Sequence, residues 1–85
     1  MKQFTYTIRD KDGVHARPAG VLVKAMQGFE SKVTFQAGEK SCDGKKLFAL
    51  MAMGIRQGSD LIVTAEGVDE EAAALAAQTI LEQSL

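Results

Sequence analysis

The sequence predicts an α+β fold: an open-faced β-sandwich in which a four-stranded antiparallel sheet carries three helices on one face. Four short segments alternate polar and apolar residues, as half-buried strands do. Three other segments have apolar residues at helical spacing, and the segments follow one another in the order βαββαβα. Because alternating strands suit an antiparallel sheet with one face in water, we expect all three helices on the opposite face.

The first half of the chain predicts a strand, a helix and a hairpin. Residues 3–8 alternate, which places three apolar side chains inward: Phe4, Tyr6 and Ile8. Pro18 fits the first turn of a helix, where its missing N–H costs nothing, and Gly28 ends that helix. The expected core face of this helix consists of Val21, Leu22, Ala25 and Met26. Residues 32–36 and 40–42 then predict two strands joined by a short turn.

The second half predicts a short helix, a strand and a final helix. Residues 46–53 predict a short helix that is apolar after Lys46 and is closed by Gly54, and residues 60–65 predict a strand with Leu61 and Val63 on one face. Asp69 is a residue type that often caps a helix start, so we expect it to cap the last helix. The expected small-residue face of that helix consists of Ala72, Leu75, Ala76, Thr79 and Ile80.

Length and composition limit the class of protein. The 85 residues suffice for one domain, 1–85, and the net charge of -1 lacks the basic excess of a nucleic-acid binder. No apolar stretch is long enough to span a membrane, and the start has no signal-peptide pattern, so we expect a cytoplasmic protein without membrane insertion. With one Cys and one His the chain forms neither an internal disulfide nor a four-ligand zinc site, and we expect no metal and no cofactor.

One short segment concentrates the chemically active residues. His15 stands just before the predicted helix, whose first amides have no partners within the helix and favour anions. Arg17 adds a permanent charge and planar donors that suit phosphate oxygens. A neutral imidazole is a good nucleophile near pH 7, so the segment fits a phosphoryl carrier. Gly13 and the small Ala16 are expected to leave room for another protein, and segment 13–18 has no carboxylate to activate water.

The residues alone leave other functions open. A single His near a helix start is commonly a surface or capping residue, and in a small binding module His15 would be structural. A hydrolytic enzyme is disfavoured, since the chain lacks a paired general base and a metal set. Substitution His15→Ala separates a structural His, whose loss lowers stability, from a carrier His, whose loss abolishes labelling.

The chain resembles the HPr family, the histidine-containing phosphocarrier proteins of the bacterial phosphoenolpyruvate–sugar phosphotransferase system. Segment 13–19, Gly-Val-His-Ala-Arg-Pro-Ala, is similar to the active-site segment of that family. The resemblance extends over the whole chain, including segment 47–55, the turn at Gly58 and the approach to the last helix at 65–70. It implies the open-faced sandwich described above.

The resemblance also implies the roles of individual residues. Enzyme I, charged from phosphoenolpyruvate, would phosphorylate His15 on Nδ1, and the phosphoryl group would pass to the IIA domain of a sugar permease. Arg17, together with Ala16 and Pro18 at the helix start, would contact the phosphoryl group. The protein would be a stoichiometric carrier and a monomer. A regulatory relative in a nitrogen-linked or dihydroxyacetone-linked branch is the alternative that the sequence leaves open.

The resemblance places a regulatory serine of many relatives at Lys46. Lysine cannot form a phosphoryl ester, so no kinase site is expected there, and its cation stands at the less favourable end of a helix. We hypothesise that Lys46 instead adds positive charge for anionic partners.

The apolar second helix is expected to supply a docking surface. Its seven apolar residues cannot all be buried in so small a domain, so Leu50 and Met53 are expected in the core. We define the docking surface as the three remaining large apolar residues with two positions of the first helix: Leu47, Phe48, Met51, Gly20 and Lys24. The residues alone also allow the alternative that all of the apolar residues are core.

Overall fold

The structure, a computed structural model, describes residues 1–85 as one four-stranded sheet with three helices. The strands are β1 (Lys2–Thr7), β2 (Lys32–Ala37), β3 (Lys40–Asp43) and β4 (Asp60–Glu66). The helices are α1 (Ala16–Gln27), α2 (Leu47–Ala52) and α3 (Glu70–Ser84). The strand order is β1-β4-β2-β3 with every neighbouring pair antiparallel, which confirms the predicted βαββαβα fold.

One face of the sheet is buried, as the alternation predicted. Phe4 in β1 and Phe35 in β2 both stand opposite Val63 in the central strand β4, so the three side chains form a row across the sheet. Val63 is 1% exposed and Phe35 is fully buried. The helices cover this face: α3 packs against β1 and β4, and α2 packs against α1 and β3.

The helices enter one hydrophobic core, but two of the predicted helix faces are partly wrong. Leu50 and Met53 are buried as expected. Val21, predicted to face the core, is 53% exposed on α1. In α3 the buried residues are Ala73, Ala77 and Leu81. None of the five predicted residues is buried: the exposed ones are Ala72, Leu75 and Thr79, and the half-buried ones are Ala76 and Ile80. Residues 72–77 are all apolar, so their pattern could not fix which side of α3 faces the sheet.

Asp69 stands at the N-cap position of α3, as predicted. The prediction that its side chain caps the helix is wrong, because the side chain makes no capping hydrogen bond. The carboxylate instead accepts the N–H groups of Glu30 and Ser31, at 2.8 and 2.9 Å, and the hydroxyl of Ser31. Ser31 is 1% exposed, so the carboxylate satisfies a buried polar group. Asp69 therefore fastens the α1–β2 loop to the start of α3.

The element ends fall close to the predicted ones. α1 begins at Ala16, two residues before Pro18, which lies in its first turn as expected. α2 ends before Gly54, whose φ of +62° is a left-handed conformation that glycine adopts without strain. No helix of the chain combines the length and apolar character needed to cross a membrane.

Candidate functional site

His15 is the residue that directly precedes α1. Its backbone is extended (φ -105°, ψ 173°), and its carbonyl accepts the N–H of Ala19 at 3.0 Å, which begins the helical hydrogen bonding. The His15 side chain does not cap the helix and is 41% exposed. The imidazole is therefore within reach of another molecule at a helix N-terminus.

Few backbone donors are free at this helix start. The N–H groups of Ala16 and Arg17 precede the first helical donor, Ala19, and have no partner within α1. Pro18, the next residue, has no N–H and is buried. Pro18 therefore contributes no donor to a bound anion, although it was predicted among the phosphoryl-binding residues, and it acts by fixing the helix start.

Arg17 provides the unpaired positive charge of the site. Its side chain is exposed, and none of the three ion pairs of the chain includes it. A guanidinium offers planar donors that match two phosphate oxygens at once. Arg17 and the two free amides are therefore the donors that this helix start offers to an anion.

Asp10 is a residue of the site that the sequence did not predict. Its Oδ2 lies 3.3 Å from Nε2 of His15, and its Oδ1 accepts the N–H of Asp12 at 2.8 Å. That N–H and the ring of His15 lower the pKa of the Asp10 carboxyl below its ordinary value. Segment 10–13 lies between the predicted first strand and the predicted first helix, and its sequence gives no sign of the contact because the loop conformation decides it.

The loop that carries His15 packs against the segment between α2 and β4. Val14 donates its N–H to the carbonyl of Ile55 at 3.0 Å. Gly13 is buried with φ of +67°, and a Cβ there would collide with the same carbonyl. The expectation that Gly13 leaves room for a partner is therefore wrong, because the backbone of Ile55 occupies that space. Ala16 is exposed, as expected.

The docking surface is divided between two helices in contact. Phe48 is 87% exposed, the largest exposed fraction of any large apolar side chain, and Leu47 and Met51 are half-buried. On α1, Lys24 is exposed and Gly20 is half-buried. The exposed Val21, which was predicted in the core, adds apolar area to the same helix.

Lys46 is exposed at the N-cap position of α2, where its side chain makes no capping bond. The preceding residue joins the two helices: Gln27 of α1 donates to the Lys45 carbonyl at 2.9 Å, and Lys45 Nζ donates to the Phe29 carbonyl at 2.6 Å. The Lys45 ammonium group is therefore engaged in a hydrogen bond within the protein, whereas the Lys46 side chain is exposed to solvent.

These features define a small α+β protein with one accessible histidine at an anion-favouring helix start. The family described as "PTS HPr component phosphorylation site" matches residues 2–83. The chain belongs to the HPr family and is a phosphocarrier of the phosphotransferase system. The sequence-based identification of the family is confirmed.

Individual relatives agree with the family match. The phosphocarrier protein HPr of Mycoplasma capricolum is 40% identical over 86 residues, which cover 100% of this chain and 97% of the relative. A solved Mycoplasma histidine-containing phosphocarrier protein superposes with a TM-score of 0.96 at 36% identity, covering 98% of this chain and 94% of that one. A dimeric HPr from Thermoanaerobacter tengcongensis has a TM-score of 0.78 at 35% identity, with coverage of 98% and 95%.

Proposed function

We propose that His15 accepts a phosphoryl group on Nδ1 from enzyme I, which is charged by phosphoenolpyruvate, and passes it to the IIA domain of a sugar permease. The observation that carries this proposal is the position of the ring. His15 is 41% exposed at the start of α1, next to the unpaired N–H groups of Ala16 and Arg17. A dianionic phosphoryl group at that point meets free donors and the positive end of the helix dipole.

The transfer needs no cofactor. The lone pair of Nδ1 forms a bond to phosphorus while the bond between phosphorus and the donor breaks, and the donor keeps that electron pair. The two free amides and the guanidinium of Arg17 stabilise the charge on the phosphoryl oxygens. Onward transfer is the reverse step with a different acceptor, so the protein is a stoichiometric carrier.

The docking surface would bind both partners in turn. Phe48, Leu47 and Met51 offer apolar area on α2, while Lys24 and Gly20 lie on the adjoining α1. Methionine adapts to partners of different shape, which suits a carrier that meets several proteins. Such complexes are expected to be transient and of modest buried area.

The proposed function also implies where the protein works and in which oligomeric state. A carrier that exchanges with enzyme I and with IIA domains would work in the cytoplasm. We propose that the working form is a monomer, because one chain carries the complete site; sedimentation of the bare and the phosphorylated protein tests this. A dimer as the only species that accepts phosphoryl groups would contradict it.

Incubation with enzyme I and labelled phosphoenolpyruvate tests the proposal. We expect one label per chain that is labile in acid and stable in base. The variant His15→Ala is expected to keep its fold by circular dichroism and to take no label. Labelling of that variant, or no labelling of the unmodified protein by any enzyme I, would refute the proposal. Comparison of enzymes I from sugar-linked and nitrogen-linked systems distinguishes the two branches.

A further inference from the structure

We propose that Asp10 is a positioning residue for His15: it holds the Nε2–H of the ring, directs the free lone pair to Nδ1 and keeps the phosphorylated ring protonated. This inference rests on the function proposed above and adds a residue to it. It starts from the only side-chain contact that the imidazole makes with a carboxylate, between Nε2 and Oδ2 of Asp10 at 3.3 Å.

The Asp10 carboxylate is fixed in place by contacts that do not involve the ring. Its Oδ1 accepts the N–H of Asp12 at 2.8 Å. Its backbone N–H donates to the carbonyl oxygen of Leu85 at 2.9 Å, and its carbonyl accepts the N–H of Gly13 at 2.9 Å. The side chain is only 27% exposed. The second carboxylate oxygen is therefore presented to His15 by the fold and is not a freely rotating surface group.

A carboxylate that is ionised can only accept a hydrogen bond. The proton between the two groups then belongs to Nε2, and the neutral ring keeps its lone pair on Nδ1. The lowered pKa of Asp10, caused first by the N–H of Asp12, agrees with an ionised carboxylate at neutral pH. Asp10 thus selects the nitrogen that is to act as nucleophile.

The same contact acts after phosphorylation. When Nδ1 forms its bond to phosphorus and the donor leaves with its electron pair, Nε2 keeps its proton and the ring gains a positive charge. The Asp10 carboxylate stabilises that charge. Because a protonated ring is the better leaving group, the carrier remains ready to transfer. On onward transfer the electron pair of the N–P bond returns to Nδ1 and the ring is neutral again.

Other charges surround the ring, but none of them makes this contact. One carboxylate oxygen each of Asp10 and Asp12 and a ring nitrogen of His15 lie within 4.8 Å of one another, without a hydrogen bond from Asp12 to the ring. Two cations lie close in sequence: Lys11 in the loop before α1 and Arg17 in the first turn of α1. A third, Arg56, comes from the segment after α2, next to Ile55, whose carbonyl accepts the N–H of Val14. The test must therefore separate the direct contact from the general field.

Nitrogen-15 NMR of the free protein examines the tautomer without any transfer. In the unmodified protein we expect the Nδ1–H tautomer of neutral His15 to stay below about 5%, and in Asp10→Asn to rise at least about threefold. Asp43→Asn is the matched control, because Asp43 makes the same local bond, to the N–H of Lys45 at 2.9 Å. It should leave the tautomer unchanged, and Asp12→Asn should change it less than Asp10→Asn.

The pH profile of onward transfer examines the phosphorylated ring. In Asp10→Asn the alkaline limb should move to lower pH by about 0.5–1 unit, because the ring loses its Nε2 proton sooner. A purely structural role would lower the rate at every pH without moving the limb. An unchanged tautomer and an unmoved limb in Asp10→Asn, or an equal effect of Asp12→Asn, would overturn the inference. Failure of the unmodified protein to accept label, with the tautomer as expected, would instead refute the proposed function and the role of Asp10 in transfer.

Discussion

Two carboxylates, Asp10 and Asp69, hold backbone N–H groups of loops that have no regular hydrogen bonding of their own. The Ser31 hydroxyl is the largest cause of the lowered pKa of Asp69, followed by the N–H of Glu30. For Asp10 the N–H of Asp12 comes first and the ring of His15 second. In both cases the hydrogen bonds of the folded protein favour the ionised carboxylate over the protonated carboxyl group. Both side chains therefore contribute stability only while they are ionised.

Substitution Asp69→Asn tests this link. A folded pKa below the unfolded value of about 3.9 gives stability that is present above that value and is lost as the pH falls through the folded one. We therefore expect the variant to be less stable than the unmodified protein at pH 7, and the difference to shrink between about pH 4 and pH 2. Urea unfolding of both proteins at pH 7, pH 4 and pH 2 measures this difference. Asp43→Asn, which removes only a local contact, should cost less at pH 7, and an equal loss would contradict the assignment.

At the scale of elements, α2 combines a buried side with an exposed one. Leu50 is 1% exposed and anchors the helix in the core, whereas Phe48, two residues earlier, is 87% exposed. The helix has only six residues, so packing rather than intrinsic helix stability holds it in place. Its exposed side takes no part in the core and is accessible to other proteins.

Substitution Phe48→Ala is expected to raise the KM for phosphoryl transfer to or from a partner about five- to tenfold, the cost of losing an aromatic contact at an interface. The melting temperature should change little because the side chain is exposed. Leu75→Ala on α3, at 66% exposure, is the matched control and should leave transfer unchanged. Equal KM values for Phe48→Ala and the unmodified protein would remove Phe48 from the docking surface.

Substitution Lys46→Ser is expected to slow association with an anionic partner about two- to fivefold at low salt, with the difference vanishing near 1 M salt. The same change should stabilise the protein by about 1 kcal/mol, because serine caps a helix start and lysine does not. Stopped-flow association at several salt concentrations and urea unfolding measure the two effects. Lys32→Ser on the sheet is the control, and an unchanged salt dependence in Lys46→Ser would contradict the charge hypothesis.

At the scale of the whole molecule, alternation and turn residues were enough to predict the order of elements and the inward face of the sheet. They failed for α3, because residues 72–77 are apolar on every side, so that only contact with the sheet selects Ala73 and Ala77. The position of His15 and Arg17 at a helix start could be predicted because Pro18 marks the first turn of the helix. The contact of Asp10 could not, since it depends on how a loop folds between β1 and α1.

Gly13 allows the loop that carries His15 to pack against the backbone of Ile55, and substitution of Gly13 tests how much this packing contributes to stability. Gly13→Ala should cost at least about 2 kcal/mol more than Gly38→Ala, because both have positive φ but only the first would meet backbone, at Ile55. Phosphoryl transfer should also fall in Gly13→Ala, since the loop carrying His15 must move. Urea unfolding and transfer rates measure this, and equal costs at the two glycines would contradict it.

The buried proline of the first turn has a consequence for the release of the cargo. Under the proposed function, the ring of Pro18 leaves the main-chain amides of Ala16 and Arg17, together with the guanidinium of Arg17, to meet the three terminal oxygens of a phosphoryl group. On the proposed docking surface, an acceptor protein would meet a phosphoryl group carried on a ring that is 41% exposed, to which it would add donors of its own. Because Pro18 supplies no N–H, it limits how tightly this helix start holds the group, which suits a carrier that must give up its load.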